Sequence, residues 1–328
     1  MRFHLDDEQR AFALSLDGML TAAGTPAVVR AWTAGDTAPG RALWSRLAEA
    51  GVFALAVPKQ HDGLGPLPVE LTVAFTEMGR HAVPGPLVET VAVAAFLDRL
   101  GDEAAAAWLP GIASGRTAAS LCLLSDDSPY ALDAHAADAV FVVEGDTVRL
   151  AAAAGPVQPS ADPARRPARP LGGTVLAHGP EVAAAAAHAA GVAALMTAAQ
   201  ALGLGRTLLA RTVEYARQRT QFGVAIGSFQ TVKHRLADTL IALEFSQPLV
   251  QAAAVALAAR DPESDRAIAA AKVTACEAAC AAARAALQIH GALGYTEEFD
   301  LSLWIRKARP LRSAWGTPAA CRARVLTP

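Results

Sequence analysis

Aromatic side chains make up only 5% of the 328 residues, cysteine occurs four times, and the charges nearly cancel, with 29 Lys plus Arg against 31 Asp plus Glu. Each shortage excludes something. A net charge of -2 exerts no general pull on a polyanion, so no nucleic-acid partner is expected. Cys122, Cys276, Cys280 and Cys321 show no short-spaced pairing of the metal-knuckle kind. Cys276 and Cys280 lie one helical turn apart without His or carboxylate partners at ligand spacing, so they read as packing residues, and no metal is expected. The start Met1-Arg2-Phe3 lacks a signal-like charged-then-apolar pattern, and a cytoplasmic protein with reduced thiols is expected. Charged residues are also missing from Val182 to Gly205, a stretch long enough to span a bilayer. Alanine makes it weakly apolar, His188, Thr197 and Gln200 interrupt it, and Arg206, Arg211 and Glu214 follow without a Trp or Tyr belt. It reads as a buried bundle helix, and no membrane span is expected.

What the chain has in excess is small apolar residues: 53% is hydrophobic, and much of that is alanine, the best helix former. A mostly α protein with a small β domain follows. Helical text from Asp6 to about Gly115 is broken at Ala34-Gly35-Asp36, between Val57-Pro58 and Gly63-Leu64-Gly65-Pro66, and at Val83-Pro84-Gly85-Pro86. Short β-branched or apolar runs then occur at Ser120 to Leu124, Ala139 to Val143, Thr147 to Leu150 and Thr174 to Ala177. Arg165-Arg166 and Arg169 lie among prolines and read as an exposed loop. Long helices are expected from Pro180 to Arg217, from about Phe229 to Arg260, and from Ser264 to Ile289 after the break Asp261-Pro262-Glu263. In the second, Val232, Leu236, Leu240 and Leu243 recur at three- and four-residue spacing and mark one buried face. The expected domains are 1–118 (N-terminal, helical), 119–180 (middle, β) and 181–328 (C-terminal helical bundle).

Two blocks carry the chemistry. The first runs Glu214-Tyr215-Ala216-Arg217-Gln218-Arg219-Thr220-Gln221-Phe222-Gly223, then Gly227-Ser228-Phe229-Gln230. A guanidinium at Arg219 beside a Gly-containing turn is suited to a pyrophosphate through paired charge-assisted hydrogen bonds, and Gln221 and Gln230 add amide donors and acceptors. The second runs Gln288-Ile289-His290-Gly291-Ala292-Leu293-Gly294-Tyr295-Thr296-Glu297-Glu298, where a small-residue turn lets backbone approach a ligand. On residue chemistry alone, Arg219 reads equally as a surface ion-pairing residue and Gly291 as a helix C-cap. His234 and His290 read as structural hydrogen-bonding residues.

Both blocks, together with Trp44 to Gly51, Ala56-Val57-Pro58, Asp62 to Gly65 and Glu77-Met78-Gly79-Arg80, resemble the acyl-CoA dehydrogenase family. The resemblance covers nearly the whole chain, the middle part least. It implies an N-terminal helical domain, a reduced middle β domain and a C-terminal four-helix bundle carrying the adenosine side of FAD and the subunit interface. Family members remove two hydrogens from a CoA thioester, pass electrons to an electron-transfer flavoprotein or similar acceptor, and pair into tetramers. The cofactor residues implied are Arg219, Gln221, Phe222 and Gln230, with Gln288, Ile289, His290, Gly291 and Ala292.

The departures concern the base. The family's usual glutamate precedes a Gly-Thr pair, which here is Gly316-Thr317, and the residue before it is Trp315. Indole has only a donor N–H and cannot accept the α-proton. The alternative seat of the base in some members falls on Ala193, so no catalytic residue is assigned. The stretch that lines the flavin ring in the family has no counterpart around Leu124-Ser125-Asp126-Asp127-Ser128-Pro129, and a family glycine is replaced by Ala292. The pattern is similar to the short subunit of actinobacterial heterotetrameric acyl-CoA dehydrogenases that act on CoA thioesters from steroid degradation. That resemblance implies an α2β2 assembly with a full-length acyl-CoA dehydrogenase-like chain supplying the base. Two alternatives stay open: a homomeric dehydrogenase with Glu297, Glu298 or Asp300 as an unusual base, and a flavin-free scaffold subunit.

Overall fold

The structure, a computed structural model, describes residues 4–124 and 128–326, so most of the shortened stretch at 125–127 lies outside the described residues. Helices α1 (Asp7–Ala22), α2 (Thr25–Thr33), α3 (Ala38–Glu49), α4 (Pro68–Arg80), α5 (Leu87–Leu100) and α6 (Asp102–Ala113) precede the strands. Strands β1 (Ala119–Leu123), β2 (Ala131–Leu132), β3 (Ala139–Glu144), β4 (Thr147–Leu150), β5 (Ala153–Val157), β6 (Pro167–Leu171) and β7 (Thr174–His178) follow. The remainder is α7 (Pro180–Gln218), a hairpin of β8 (Thr220–Gln221) and β9 (Val224–Ala225), then α8 (Gln230–Ala258), α9 (Ser264–His290), α10 (Leu301–Ser313) and α11 (Pro318–Leu326). This is the acyl-CoA dehydrogenase-like arrangement of helices around a small β region that the sequence leads one to expect.

Residues group into two compact units. One holds the chain up to Pro26, Thr72–Val83 and everything from Ala194; the other holds Ala27–Leu71 and Pro84–Ala193. In the second unit, β1, β3, β4 and β7 form a sheet in that order, with β1 and β3 parallel and the other pairs antiparallel. A smaller antiparallel sheet has the order β2-β6-β5. The stretch read as an exposed basic loop is thus partly strand: Arg169 lies in β6, which buries Ala168 and Pro170 on the face opposite Arg169. The few aromatics are used as tethers here. Trp44 stacks on Phe53 at 4.1 Å and donates its indole N–H to Gly115 O at 2.9 Å, while Trp32 donates to Asp133 Oδ1 at 3.0 Å.

In the first unit, a capping box starts α1: Gln9 N–H donates to Asp6 Oδ1, and Asp6 N–H donates to Gln9 Oε1. Helices α4 and α7 approach so closely that a Cβ on Gly203 would sit 1.8 Å from Thr76 O, and one on Gly79 would sit 2.0 Å from Gln200 O. Only glycine permits that contact. The alanines and cysteines of α9 pack against α8 and α10, with Cys276, Ala279 and Ala282 fully or almost fully buried. Burial pushes the Cys276 thiol up to about 11, so it packs as a neutral hydrophobe.

Helix α7 buries 72% of its most apolar 18-residue window within the protein. Helix α8 is also long and apolar enough to cross a membrane by length and composition, but only 28% of its window is buried. The face expected to be buried is only partly so: Leu243 is buried, Val232 and Leu236 are half-buried, and Leu240 is 48% exposed. The inward stripe runs instead through Thr239, Leu243, Ser246, Val250, Ala253 and Ala254. Thr239 and Ser246 remain inside by returning their hydroxyls to carbonyls four residues back.

Candidate functional site

The first block folds as a hinge between two long helices. Helix α7 ends at Gln218, and the chain reverses through the β8–β9 hairpin, whose turn places Phe222 (φ 52°) and Gly223 (φ 78°) in the left-handed region. A left-handed phenylalanine is costly, and its ring is 94% exposed at the tip, with Phe229 edge-on at 6.3 Å. The backbone N–H of Ile226 donates to Arg219 O at 2.8 Å, which ties the Arg219 backbone to a residue four positions before α8. That helix end has neither a side-chain cap nor an acidic residue in its first turn. Among the described residues the guanidinium of Arg219 has no partner, and the side chain of Gln230 makes no hydrogen bond. Both are exposed. Gln221 donates to Thr220 O at 2.8 Å.

The second block lies where α9 stops. Gly291 ends the helix at φ 60°, ψ -136°, a backbone region open to glycine, and Ala292 lies exposed in the following 3-10 turn, Gly291–Tyr295. Gln288 is exposed and its side-chain oxygen accepts from Arg235 of α8; Ile289 is half-buried. His290 is enclosed, stacked on Tyr215 at 4.1 Å and tilted against Phe299 at 5.3 Å. Burial lowers its pKa, opposed by its 2.8 Å hydrogen bond to Ala286 O, so the neutral ring carries its proton on Nδ1 and leaves Nε2 buried without a partner. The Tyr215–His290 stack joins the two blocks, because Tyr215 stands one turn before Arg219.

These residues suit the adenosine diphosphate end of a dinucleotide. An exposed guanidinium in the connection between α7 and the uncapped start of α8 offers donors and positive charge to a diphosphate. Gln288 and His290 are already engaged within the chain, so their contribution is to shape the turn at Gly291 and Ala292.

At the two positions where the resemblance leads one to expect a base, neither side chain can accept a proton. Ala193 is fully buried in α7 and presents only a methyl group. Trp315 sits at φ 55° in the turn between α10 and α11, followed by Gly316 at φ 131°. That turn is held by a residue far from it in sequence: Lys272, completely buried, donates to Leu311 O at 3.1 Å, Arg312 O at 2.9 Å and Gly316 O at 2.9 Å. One signal was present, a lone cation in the run Ala269-Ala270-Ala271-Lys272. Of the carboxylates considered as an unusual base, Glu297 is exposed and ion-paired with Arg306 at 2.8 Å, while Glu298 is exposed and Asp300 half-buried at the start of α10. None lies in an enclosed pocket with an unpaired oxygen.

A second cluster is formed by residues distant along the chain. Asp17, Glu77 and His81 bring three ligand-type atoms within 4.8 Å of one another. His81 Nε2 lies 2.8 Å from Asp17 Oδ1, and Arg80 approaches Asp17 at 3.9 Å and Glu77 Oε2 at 3.4 Å without hydrogen-bond geometry to either. Burial pushes Glu77 up to about 7, against the pull of Arg80. With Arg80 in place the cluster already has its cation, so we read it as a structural knot and derive no metal chemistry from it.

Comparison with known proteins agrees with this anatomy. Residues 6–116 match the model of the acyl-CoA dehydrogenase N-terminal domain, and residues 183–326 match that of the C-terminal domain. Acyl-CoA dehydrogenase IpdE2 of Mycobacterium tuberculosis is 34% identical over 286 residues, covering 86% of this chain and 85% of its own. Among solved structures, a chain of the ChsE4-ChsE5 complex from Mycobacterium tuberculosis superposes with a TM-score of 0.87 at 24% identity, covering 100% of both chains. A chain of the Tcur3481-Tcur3483 steroid ACAD G363A variant gives a TM-score of 0.83 at 23% identity, covering 97% of this chain and 96% of that one. With helical framework, nucleotide-side blocks and whole-length relatives in agreement, this chain belongs to the acyl-CoA dehydrogenase family of oxidoreductases.

Proposed function

We propose that this chain is the subunit without a base in a heteromeric, FAD-dependent acyl-CoA dehydrogenase that introduces an α,β double bond into a CoA thioester, with a bulky steroid-derived acyl group as the substrate class. The observation that carries the proposal is the lack of a carboxylate at Trp315 and Ala193, alongside an exposed Arg219 with no partner among the described residues in the connection that leads to the uncapped start of α8. Arg219, Gln221 and Gln230 would hold the diphosphate of FAD, and the turn at Gly291-Ala292, with Gln288, Ile289 and His290, would hold its adenosine end. Phe222 covers the hairpin side. FAD when bound supplies the hydride acceptor. The α-proton leaves to a carboxylate of an unlike, full-length acyl-CoA dehydrogenase chain, since no residue at this chain's own two seats accepts it. The relative solved as a two-protein complex and the one whose name includes a steroid support the partner and the acyl class, respectively.

The test is Arg219→Ala in the co-expressed assembly. Retained flavin per unlike pair should fall at least tenfold while the assembly keeps its mass, because a bidentate charge-assisted contact contributes on the order of 1.5–3 kcal/mol. Unchanged flavin with a broken assembly would instead make Arg219 an interface residue and the chain a scaffold.

A further inference from the structure

Tyr215 is not among the residues read as holding the cofactor, yet it is where the two sequence blocks touch. Its ring lies flat on that of His290, with 4.1 Å between centroids and 24° between planes. His290 cannot drift under it. Nδ1 is held by Ala286 O at 2.8 Å, Phe299 tilts against the imidazole at 5.3 Å, and His290 is the last residue of α9, directly before the helix-ending Gly291. Tyr215, His290 and Phe299 all belong to one compact unit.

From Tyr215 the chain leads directly to Arg219. The Arg219 N–H donates to Tyr215 O at 2.8 Å, and Arg219 O accepts from Ile226 N–H at 2.8 Å, so its backbone is fastened on both sides while its guanidinium stays exposed. The ring stack therefore sets where the last turn of α7 stands against the end of α9, and with it the span between Arg219 and the Gly291 turn. Fixing that span before a ligand arrives reduces the ordering cost of binding. The polar atoms of the pair do not explain the contact. The Tyr215 hydroxyl makes no hydrogen bond among the described residues, and His290 Nε2 is buried without one. Two flat faces remain as the reason for these side chains. Simple filling of space between helices would be served as well by leucine, whereas a stack of defined orientation needs an aromatic ring.

We infer that Tyr215 is a positioning residue of the nucleotide site: through its stack on His290 it holds Arg219 at the span from the Gly291 turn that one dinucleotide bridges. This rests on the FAD reading above and adds a residue that acts through Arg219 instead of touching the cofactor. The test uses this chain co-expressed with a candidate full-length acyl-CoA dehydrogenase chain, stripped of flavin and titrated with FAD, with flavin fluorescence and the mass of the assembly as readouts. Tyr215→Leu should weaken FAD binding about five- to tenfold, and Tyr215→Phe, which keeps the ring, should stay within about twofold of the parent. In an Arg219→Ala background, Tyr215→Leu should add no further loss, because its effect passes through Arg219. If Tyr215→Leu fails to assemble, Tyr215→Met, which fills the space without a planar face, is read against the same expectations. Parent-like affinity in the variant without the ring overturns the inference, as does a loss of the same size with and without Arg219, which would make Tyr215 a packing residue. A loss in Tyr215→Phe equal to that in Tyr215→Leu also overturns it, by assigning the role to the hydroxyl. Arg219→Ala that binds FAD like the parent, or a parent assembly that takes up no FAD, overturns the nucleotide reading itself.

Discussion

Glu77 shows how a single side chain can weaken a fold that it helps to specify. Its carboxyl is buried, Oε2 receives no hydrogen bond among the described residues, and burial raises its pKa from the ordinary 4.5 to about 7. A carboxyl whose pKa is raised by folding keeps its proton in the folded chain while the unfolded chain has already released it. Its contribution to stability therefore declines as pH rises from about 4.5 to about 7 and is level above that. At about 1.4 kcal/mol per pKa unit, Glu77→Gln should gain on the parent by about 2–3 kcal/mol between pH 5 and pH 8, read from urea unfolding at the two pH values. An equal difference at both would show that Glu77 is ionised throughout. The sequence displays Glu77 only as part of a motif, since its burial is a tertiary fact and two of the charges that act on it, Asp17 and Arg206, are distant along the chain.

At the scale of elements, local chemistry made most of the fold readable. The long helices begin and end within a residue or two of the breaks at Pro180, Asp261-Pro262-Glu263 and Gly291. Strand β6 was not legible, because its prolines and arginines are turn-like in sequence and its strand state comes from pairing with β2 and β5. The helical period of α8 was legible, but which side is buried was not, because apolar spacing identifies a face and does not say whether the same chain covers it. The two sequence blocks proposed for the nucleotide were visible as residues; the Tyr215–His290 stack that joins them is a tertiary fact. So is the C-terminal end of α10, where the buried ammonium of Lys272 satisfies two of the helix's last carbonyls as well as Gly316 O. Lys272→Met keeps the length of the side chain and orphans those carbonyls. It should cost about 3 kcal/mol or more in urea unfolding, and a loss below about 1 kcal/mol would show that water replaces the ammonium.

For the whole molecule, the features point one way. A dehydrogenase framework without either carboxylate, an intact nucleotide-side hinge and a long helix with its larger apolar side chains facing outward suit half of a shared site better than a complete one. The central claim is that flavin is held only when an unlike chain is present. It is tested most directly by the visible absorption spectrum of the purified chain, alone and co-expressed with a candidate full-length acyl-CoA dehydrogenase chain, with flavin counted per chain. The account predicts a colourless lone chain and a yellow assembly carrying about one flavin per unlike pair; a lone chain that is stoichiometrically yellow and reduces an electron acceptor with an acyl-CoA would contradict it.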